Sequence, residues 1–429
     1  MKVKLAYGRS GMTVNMPDNR TTVIDPHFMP GIPDQGASIL HALLHPIRSA
    51  ALQDVVGPED TVAIVFCDQS SPMPNALVLP IVLDQLQHVP RRNIVLVQAT
   101  GARKSSGHDE LSAAIAPAIL KNYRVVQHNA HDRTTQTLVG RMTDGAEVWL
   151  NSEVVAASKR IVVGYIEPHF FAGFTGGPEN IAPGVAGIDT IGALQSPRLI
   201  AQEKATWGIA AGNPVWERMC EAARLIDVAF NLSVTLNNRH HVTNVFAGEL
   251  WQSHHIGVEF SRKTALRGIP QSFDVVVTTN AGYPLDQSLC QSVKGISAAA
   301  QIVRPGGAIV VAAECSEGIP ETSNFKKLLK QAETADALLD MLNRPGAKAQ
   351  DYWEAQILAQ IQKKARVFLK AGYLSDQQIR DCLLLPISSV ETCVSDLLEE
   401  MGPTATVGVL TQGPMAIPMV QAREPLAMV

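Results

Sequence analysis

Short runs of this chain are apolar almost throughout: Thr61-Val-Ala-Ile-Val-Phe66, Asn93-Ile-Val-Leu-Val-Gln98, Arg160-Ile-Val-Val-Gly164, Asp274-Val-Val-Val-Thr-Thr279 and Ala308-Ile-Val-Val-Ala312. A strand with one face in water alternates apolar and polar residues. A strand covered on both faces does not. Helical patterns separate the runs, from about Asn75 to His88, from about Ser106 onward, and from Leu289 to Val303. Tyr123 to Gln127 reads as a further strand. This alternation predicts an α/β fold with mostly parallel sheets.

At 429 residues the chain exceeds what a single core usually holds. A second strand–helix series starts near Phe273, so two α/β domains are expected, 1–270 and 271–402, with a ligand cleft between them. The segment Glu333 to Leu398 reads as mainly helical. The tail 403–429, with an apolar run from Thr404 to Thr411, is expected to return to the first domain. A net charge of −4 leaves no basic footprint, which argues against nucleic acid as a partner. No apolar run approaches the ~18–20 residues of a membrane span. Met1-Lys2-Val3-Lys4 lacks the apolar core of a signal peptide, so a cytoplasmic location is expected. The six cysteines form no CxxC pair and read as reduced, buried thiols. The pairs His240-His241 and His254-His255 read as solvated surface residues, because adjacent side chains do not face one another.

The segment Gly164 to Gly187, GYIEPHFFAGFTGGPENIAPGVAG, places one histidine, His169, among glycines and aromatics directly after a strand. Glycines there let the backbone turn sharply and approach a ligand. A helix starting near Pro178 would aim free N–H groups at a small anion. Packing of Phe170, Phe171 and Phe174 into a core is the structural alternative. In parallel sheets ligands gather at the carboxyl ends of strands. The loops Cys67 to Pro72, Ala99 to Arg103 and Glu167 to His169 all fall there.

Four motifs carry a family resemblance: Asp68-Gln-Ser-Ser-Pro-Met-Pro74, Ala99-Thr-Gly-Ala-Arg-Lys104 with His108-Asp-Glu-Leu111, Glu167-Pro-His-Phe-Phe-Ala-Gly-Phe-Thr-Gly-Gly177, and Gly282-Tyr-Pro-Leu-Asp-Gln287 with Gln291-Ser-Val-Lys-Gly295. Trp353-Glu-Ala-Gln356 adds a fifth. From about Val62 to Thr411 the chain resembles the lactate racemase family of nickel-pincer hydroxyacid racemases and epimerases. The resemblance implies an isomerase acting on a 2-hydroxy acid. It implies His169 as one of two bases, Lys294 and Gln291 as the carboxylate-binding pair, Trp353 and Tyr283 beside the substrate, and Asp68 as an acidic site residue. It also implies a nickel-bearing pyridinium mononucleotide near Thr100, Gly101, Gly176 and Gly177, anchored through a lysine after the Gly-Gly pair and a histidine on the metal.

The chain departs from that pattern at four positions. Glu179 stands in the lysine's place, Gln195 in that of the nickel-ligating histidine, Arg103 in that of the first base, and Ser71 in that of an arginine. His108 matches a separate family histidine. A carboxylate cannot form the thioamide, and glutamine is a poor nickel ligand beside imidazole. Arg103 stays protonated and is a poor base, but it makes a good carboxylate clamp. The expected function is therefore a racemase- or epimerase-like reaction on a hydroxy acid larger or more polar than lactate, without covalent cofactor attachment. A non-covalently held nickel-pincer nucleotide or another divalent metal would be required, its ligands unassigned. The alternatives are a pincer-independent enzyme of another reaction type and a non-catalytic ligand-binding member. Assembly into a homo-oligomer is left open.

Overall fold

The computed structural model describes residues 1–69, 71–103, 107, 111–112, 115–320, 324–344 and 352–420. The chain divides into two compact units, residues 28–264 and residues 1–27 with 265 onward.

The N-terminal unit is built on a six-stranded sheet in the order Val242–Gly248, Phe230–Leu236, Lys159–Tyr165, Val62–Cys67, Ile94–Ala99, Arg124–Gln127. All pairings are parallel except that of Val242–Gly248 with Phe230–Leu236. Unbroken apolar strands serve both faces. Ile64, Phe66, Leu96 and Ile161 pack into one core, and Ala63, Val65, Val97 and Val162 into another. From Val62–Cys67 the chain adds Ile94–Ala99 and Arg124–Gln127 on one side, then Lys159–Tyr165 on the other. The direction of growth reverses between Val62–Cys67 and Lys159–Tyr165. The crevice outside the carboxyl ends at such a switch is where open α/β sheets bind ligands.

The second unit carries an all-parallel sheet in the order Leu385–Pro386, Arg366–Lys370, Val303–Ala312, Phe273–Thr279, Val407–Leu410, Thr21–Ile24. Its switch lies between Phe273–Thr279 and Val407–Leu410. The helix Val390–Met401 and the N-terminal hairpin Lys2–Leu5/Met12–Asn15 cover one face through Val394, Leu397, Val3 and Leu5.

One expectation is corrected here. The tail does not return to the first domain: Val407–Leu410 pairs with Phe273–Thr279 and with Thr21–Ile24. It is the N-terminus that crosses over, since residues 1–27 fold with the second unit. The segment after Glu333 is mainly helical, as expected, and also supplies the strands Arg366–Lys370 and Leu385–Pro386. Within the strand Val303–Ala312 a bulge spans Pro305-Gly306-Gly307, where the register jumps from Phe273↔Val303 to Val275↔Ala308. The helix expected from Ser106 falls largely outside the described residues. No helix among the described residues is long and apolar enough to cross a membrane.

Candidate functional site

At the N-terminal switch point, Asp68 leaves the strand Val62–Cys67 and His169 leaves Lys159–Tyr165. Asp68 is buried, and Arg103 reaches it with Nη1 3.5 Å from Oδ2. Some 65% of the Arg103 side chain is exposed, so solvent screens this pair. Cys67 donates from Sγ to Asn180 Oδ1 at 3.3 Å, and Asn75 Nδ2 donates to the Cys67 carbonyl at 2.9 Å. Burial, reinforced by Glu179 and Asp68, pushes the Cys67 thiol up to about 12. It stays protonated and is no nucleophile. Burial, then Glu167, raises Tyr165 well above the ordinary phenol; its hydroxyl donates to Glu167 Oε1 at 3.2 Å. Three buried atoms around these strand ends keep hydrogen-bonding capacity in hand: Asn75 Oδ1, Gln98 Oε1 and Asn180 Nδ2.

His169 sits on a two-residue hairpin, Pro168–His169 against Gly173–Phe174, with His169 opposite Gly173. Its Nδ1 accepts from the backbone N–H of Ala172 at 3.1 Å and of Phe171 at 3.4 Å. The Phe171 ring meets it edge-on at 4.5 Å. A nitrogen that accepts carries no proton, so the neutral ring holds its proton on Nε2. Phe170, Phe171 and Phe174 are all buried. The core reading of the aromatics and the site reading of the histidine therefore hold together.

The loop beyond is tight. Gly177 adopts φ +55°, and a Cβ there would lie 2.5 Å from His254 Cδ2. His254 was expected on the surface. It is buried instead, in the helix Leu250–Ala265, stacked on Trp216 at 5.0 Å and donating from Nε2 to the Thr175 carbonyl at 3.0 Å. Burial drives its pKa down to about 4. The unfolded ring takes its proton near 6.5 and the folded ring only near 4, so the unfolded state binds more protons between those values. Stability from this ring is complete above about pH 6.5 and lost as pH falls to about 4, a loss of about 3 kcal/mol. Melting curves between pH 7 and 4 should fall more steeply for the wild type than for His254→Gln. Parallel curves would exclude this account.

The expected helix at Pro178 is a single turn, Pro178–Ile181. Its entry does not present an open anion site, because the Glu179 carboxylate already accepts from Gly176 N–H at 2.8 Å. Thr100 and Gly101 do border this loop. Thr100 Oγ1 donates to the His128 carbonyl at 2.8 Å, and Gly101 N–H to the Gly184 carbonyl at 2.9 Å. Gln195 caps the helix Ile188–Leu194 and is buried. Ser71 donates its N–H to the Asp68 carbonyl at 3.2 Å. His108 lies outside the described residues.

The residues present do not fit a covalently held nickel nucleotide. Glu179 offers a carboxylate already committed to its own backbone where an amine is needed, and Gln195 offers an amide where imidazole is needed. Among the described residues no three His, Cys, Asp or Glu side chains converge as a metal site.

The remaining expected residues lie in the second unit, around the carboxyl end of Phe273–Thr279. Tyr283 stands in the loop that follows it. Ser288 caps the helix Leu289–Ala300, and its hydroxyl donates to Gln291 Oε1 at 3.2 Å. Gln291 and Lys294 are exposed and three residues apart, hence on one face of that helix. Trp353 opens the helix Trp353–Lys364 and is half-buried. Sequence reasoning missed Asn75, Gln98, Asn180 and His254. Only their burial distinguishes them.

The model of the lactate racemase N-terminal domain matches residues 7–208, and that of the lactate racemase C-terminal domain matches 270–417. Lactate racemase of Thermoanaerobacterium thermosaccharolyticum is 30% identical over 390 residues, covering 90% of this chain and 91% of that protein. Lactate racemase of Lactiplantibacillus plantarum is 30% identical over 375 residues, covering 87% and 88%. The T. thermosaccharolyticum lactate racemase apoprotein structure matches with a TM-score of 0.91 at 28% identity, covering 97% of this chain and all of that one. A Thermotoga maritima crystal structure shares the fold, with a TM-score of 0.65 at 14% identity over 92% of this chain. Both domain models match in order, and a relative at 30% identity spans most of the chain, so this protein belongs to the lactate racemase family.

Proposed function

We propose that this protein interconverts stereoisomers of a 2-hydroxy acid, with His169 exchanging a proton at the C2 oxygen while the C2 hydrogen leaves and returns as hydride through a non-covalently held hydride acceptor. The observation that carries this reading is the fixing of His169 beyond the carboxyl end of Lys159–Tyr165: two backbone N–H groups on Nδ1 hold the ring with its proton on Nε2. In the neutral ring Nε2 is a donor, so His169 enters as an acid toward a C2 oxygen. Acting as a base requires the proton to leave Nε2 first, and Nδ1 is already occupied as an acceptor. Arg103 is proposed to orient a second polar group, with Asp68 holding its guanidinium in place. That second contact favours an acid larger or more polar than lactate. No step is assigned to a nickel nucleotide.

A second reading, binding without turnover, draws on Arg103. Inversion needs proton transfer at opposed groups, and a guanidinium does not take protons near neutral pH. One experiment separates the two. D- and L-lactate, malate, tartrate and sugar acids are incubated with protein purified from its own host, and the isomers are resolved by chiral chromatography. Interconversion of a polar hydroxy acid, slow or absent with lactate, is the expected outcome. Silence across the panel together with ligand-raised melting temperatures supports binding alone. Intact-mass analysis of the same sample after denaturation should show no nucleotide adduct. An adduct mapped to residues 176–181 would overturn the account of Glu179.

A further inference from the structure

The switch point of the second unit is completed by the chain's own N-terminus. The turn joining Lys2–Leu5 to Met12–Asn15 lies against the carboxyl ends of the two strands flanking that switch. Ala6 N–H donates to the Thr411 carbonyl at 2.8 Å. Gly8 N–H donates to Asp286 Oδ2 at 2.8 Å, and the Gly8 carbonyl accepts from Tyr283 N–H at 2.9 Å. Asp286 is wholly buried, and the same oxygen also accepts from Glu314 N–H at 3.1 Å. Gly282 adopts φ +70°, and a Cβ there would lie 2.9 Å from the Gly8 carbonyl oxygen. The turn is thereby fixed on the loop Gly282–Asp286.

Arg9 stands on this fixed turn. Its guanidinium carbon lies 3.4 Å from the centre of the Tyr283 ring, and 41% of Tyr283 remains exposed. Arg9 is itself exposed, and among the described residues no carboxylate lies within ion-pairing distance of it. A guanidinium lying flat on a ring spends its face and keeps its N–H edge for a ligand. Stacking also restrains a side chain that would otherwise lose rotamer freedom on binding.

We propose that Arg9, seated on Tyr283, is a specificity-determining oxyanion contact that receives either the second carboxylate of a hydroxy acid or a phosphate. The switch-point position supplies the location, and the fork of N–H groups supplies the bidentate chemistry for a carboxylate or a phosphate. The proposal rests on the hydroxy-acid reading only for which molecule carries the oxyanion. Glu314, whose carboxylate packs against Gly8 in the same turn, sets a negative background that the ligand must overcome.

Calorimetric titration at low ionic strength tests it, with D- and L-malate, D- and L-lactate and AMP against wild type, Arg9→Gln and Glu314→Gln. Arg9→Gln is expected to weaken malate or AMP by roughly 10-fold or more and leave lactate unchanged, the scale of a charge-assisted hydrogen bond. Glu314→Gln is expected to shift the same ligand the other way. Loss confined to malate assigns the oxyanion to a second carboxylate, and loss confined to AMP assigns it to a phosphate. Equal affinity of Arg9→Gln and wild type for both overturns the proposal. So does a wild type that binds neither more tightly than lactate. Arg9 is exposed, so its variant should melt with the wild type. Isomer interconversion is scored separately: its absence beside Arg9-dependent binding defeats the functional reading and leaves this one standing.

Discussion

Replacing His169 by alanine is expected to lower hydroxy-acid interconversion by roughly 10²-fold or more, the usual scale for a positioned acid–base group. The loss should appear in kcat, because His169 is proposed to move a proton rather than to hold the substrate carboxylate. The ring owes its placement to its neighbours. Ala172 and Phe171 N–H groups hold Nδ1, and the Phe171 ring packs against its plane. Alanine removes the proton carrier and leaves the hairpin backbone pairing with Gly173–Phe174 intact. Chiral product analysis under single-turnover and steady-state conditions checks this, with melting temperature as the folding control. A variant that keeps its rate within threefold of wild type, at unchanged stability, would remove His169 from the chemistry.

The largest expected effect on stability is at Gly173. This residue adopts φ +82°, and a Cβ would press into the Ile209 carbonyl, which is backbone and cannot swing away. Left-handed strain and overpacking each cost of order 1–3 kcal/mol, so Gly173→Ala should destabilise the N-terminal unit by about 3 kcal/mol. That corresponds to a fall of roughly 6–12 °C in melting temperature for a unit of this size. Activity should fall as well, since Gly173 is the strand partner of His169. Gly192→Ala is the matched control. It lies in the helix Ile188–Leu194 with nothing within 4 Å of its Cβ position, and alanine there should be neutral or stabilising by about 0.5–1 kcal/mol. Equal melting temperatures for the two variants would show that the close approach to Ile209 is absent in solution.

Much of the first sheet was legible in the chain because doubly covered strands announce themselves. Val62–Cys67, Ile94–Ala99 and Lys159–Tyr165 each fall within a residue or two of the apolar runs that mark them. Strands that lack such runs were missed. Thr21–Ile24 at a sheet edge is short and owes its strand state to a partner distant in sequence, and the local hairpin Gln136–Arg141/Glu147–Asn151 is mixed in polarity. Asp68 and His169 could be placed just beyond strand ends because the apolar runs before them mark those strands. Asn180 and Gln98 could not. Their importance lies in burial and leftover hydrogen-bonding capacity, which no local pattern encodes.

His254 shows the limit most clearly. Beside His255 in a polar stretch it reads as a surface residue, yet the helix Leu250–Ala265 turns it inward onto Trp216 and Gly177. The sequence by itself determined the strand–helix alternation, the glycine-bearing loop after Lys159–Tyr165, and the chemical identity of the groups at positions 103, 179 and 195. Those follow from side-chain type and short-range spacing. Only the tertiary structure decided that residues 1–27 complete the second sheet, that Glu179 is committed to Gly176, and that Arg9 lies on Tyr283. Each depends on which distant backbone groups meet, and that is set by sheet order and core packing across the whole chain rather than by any window of it.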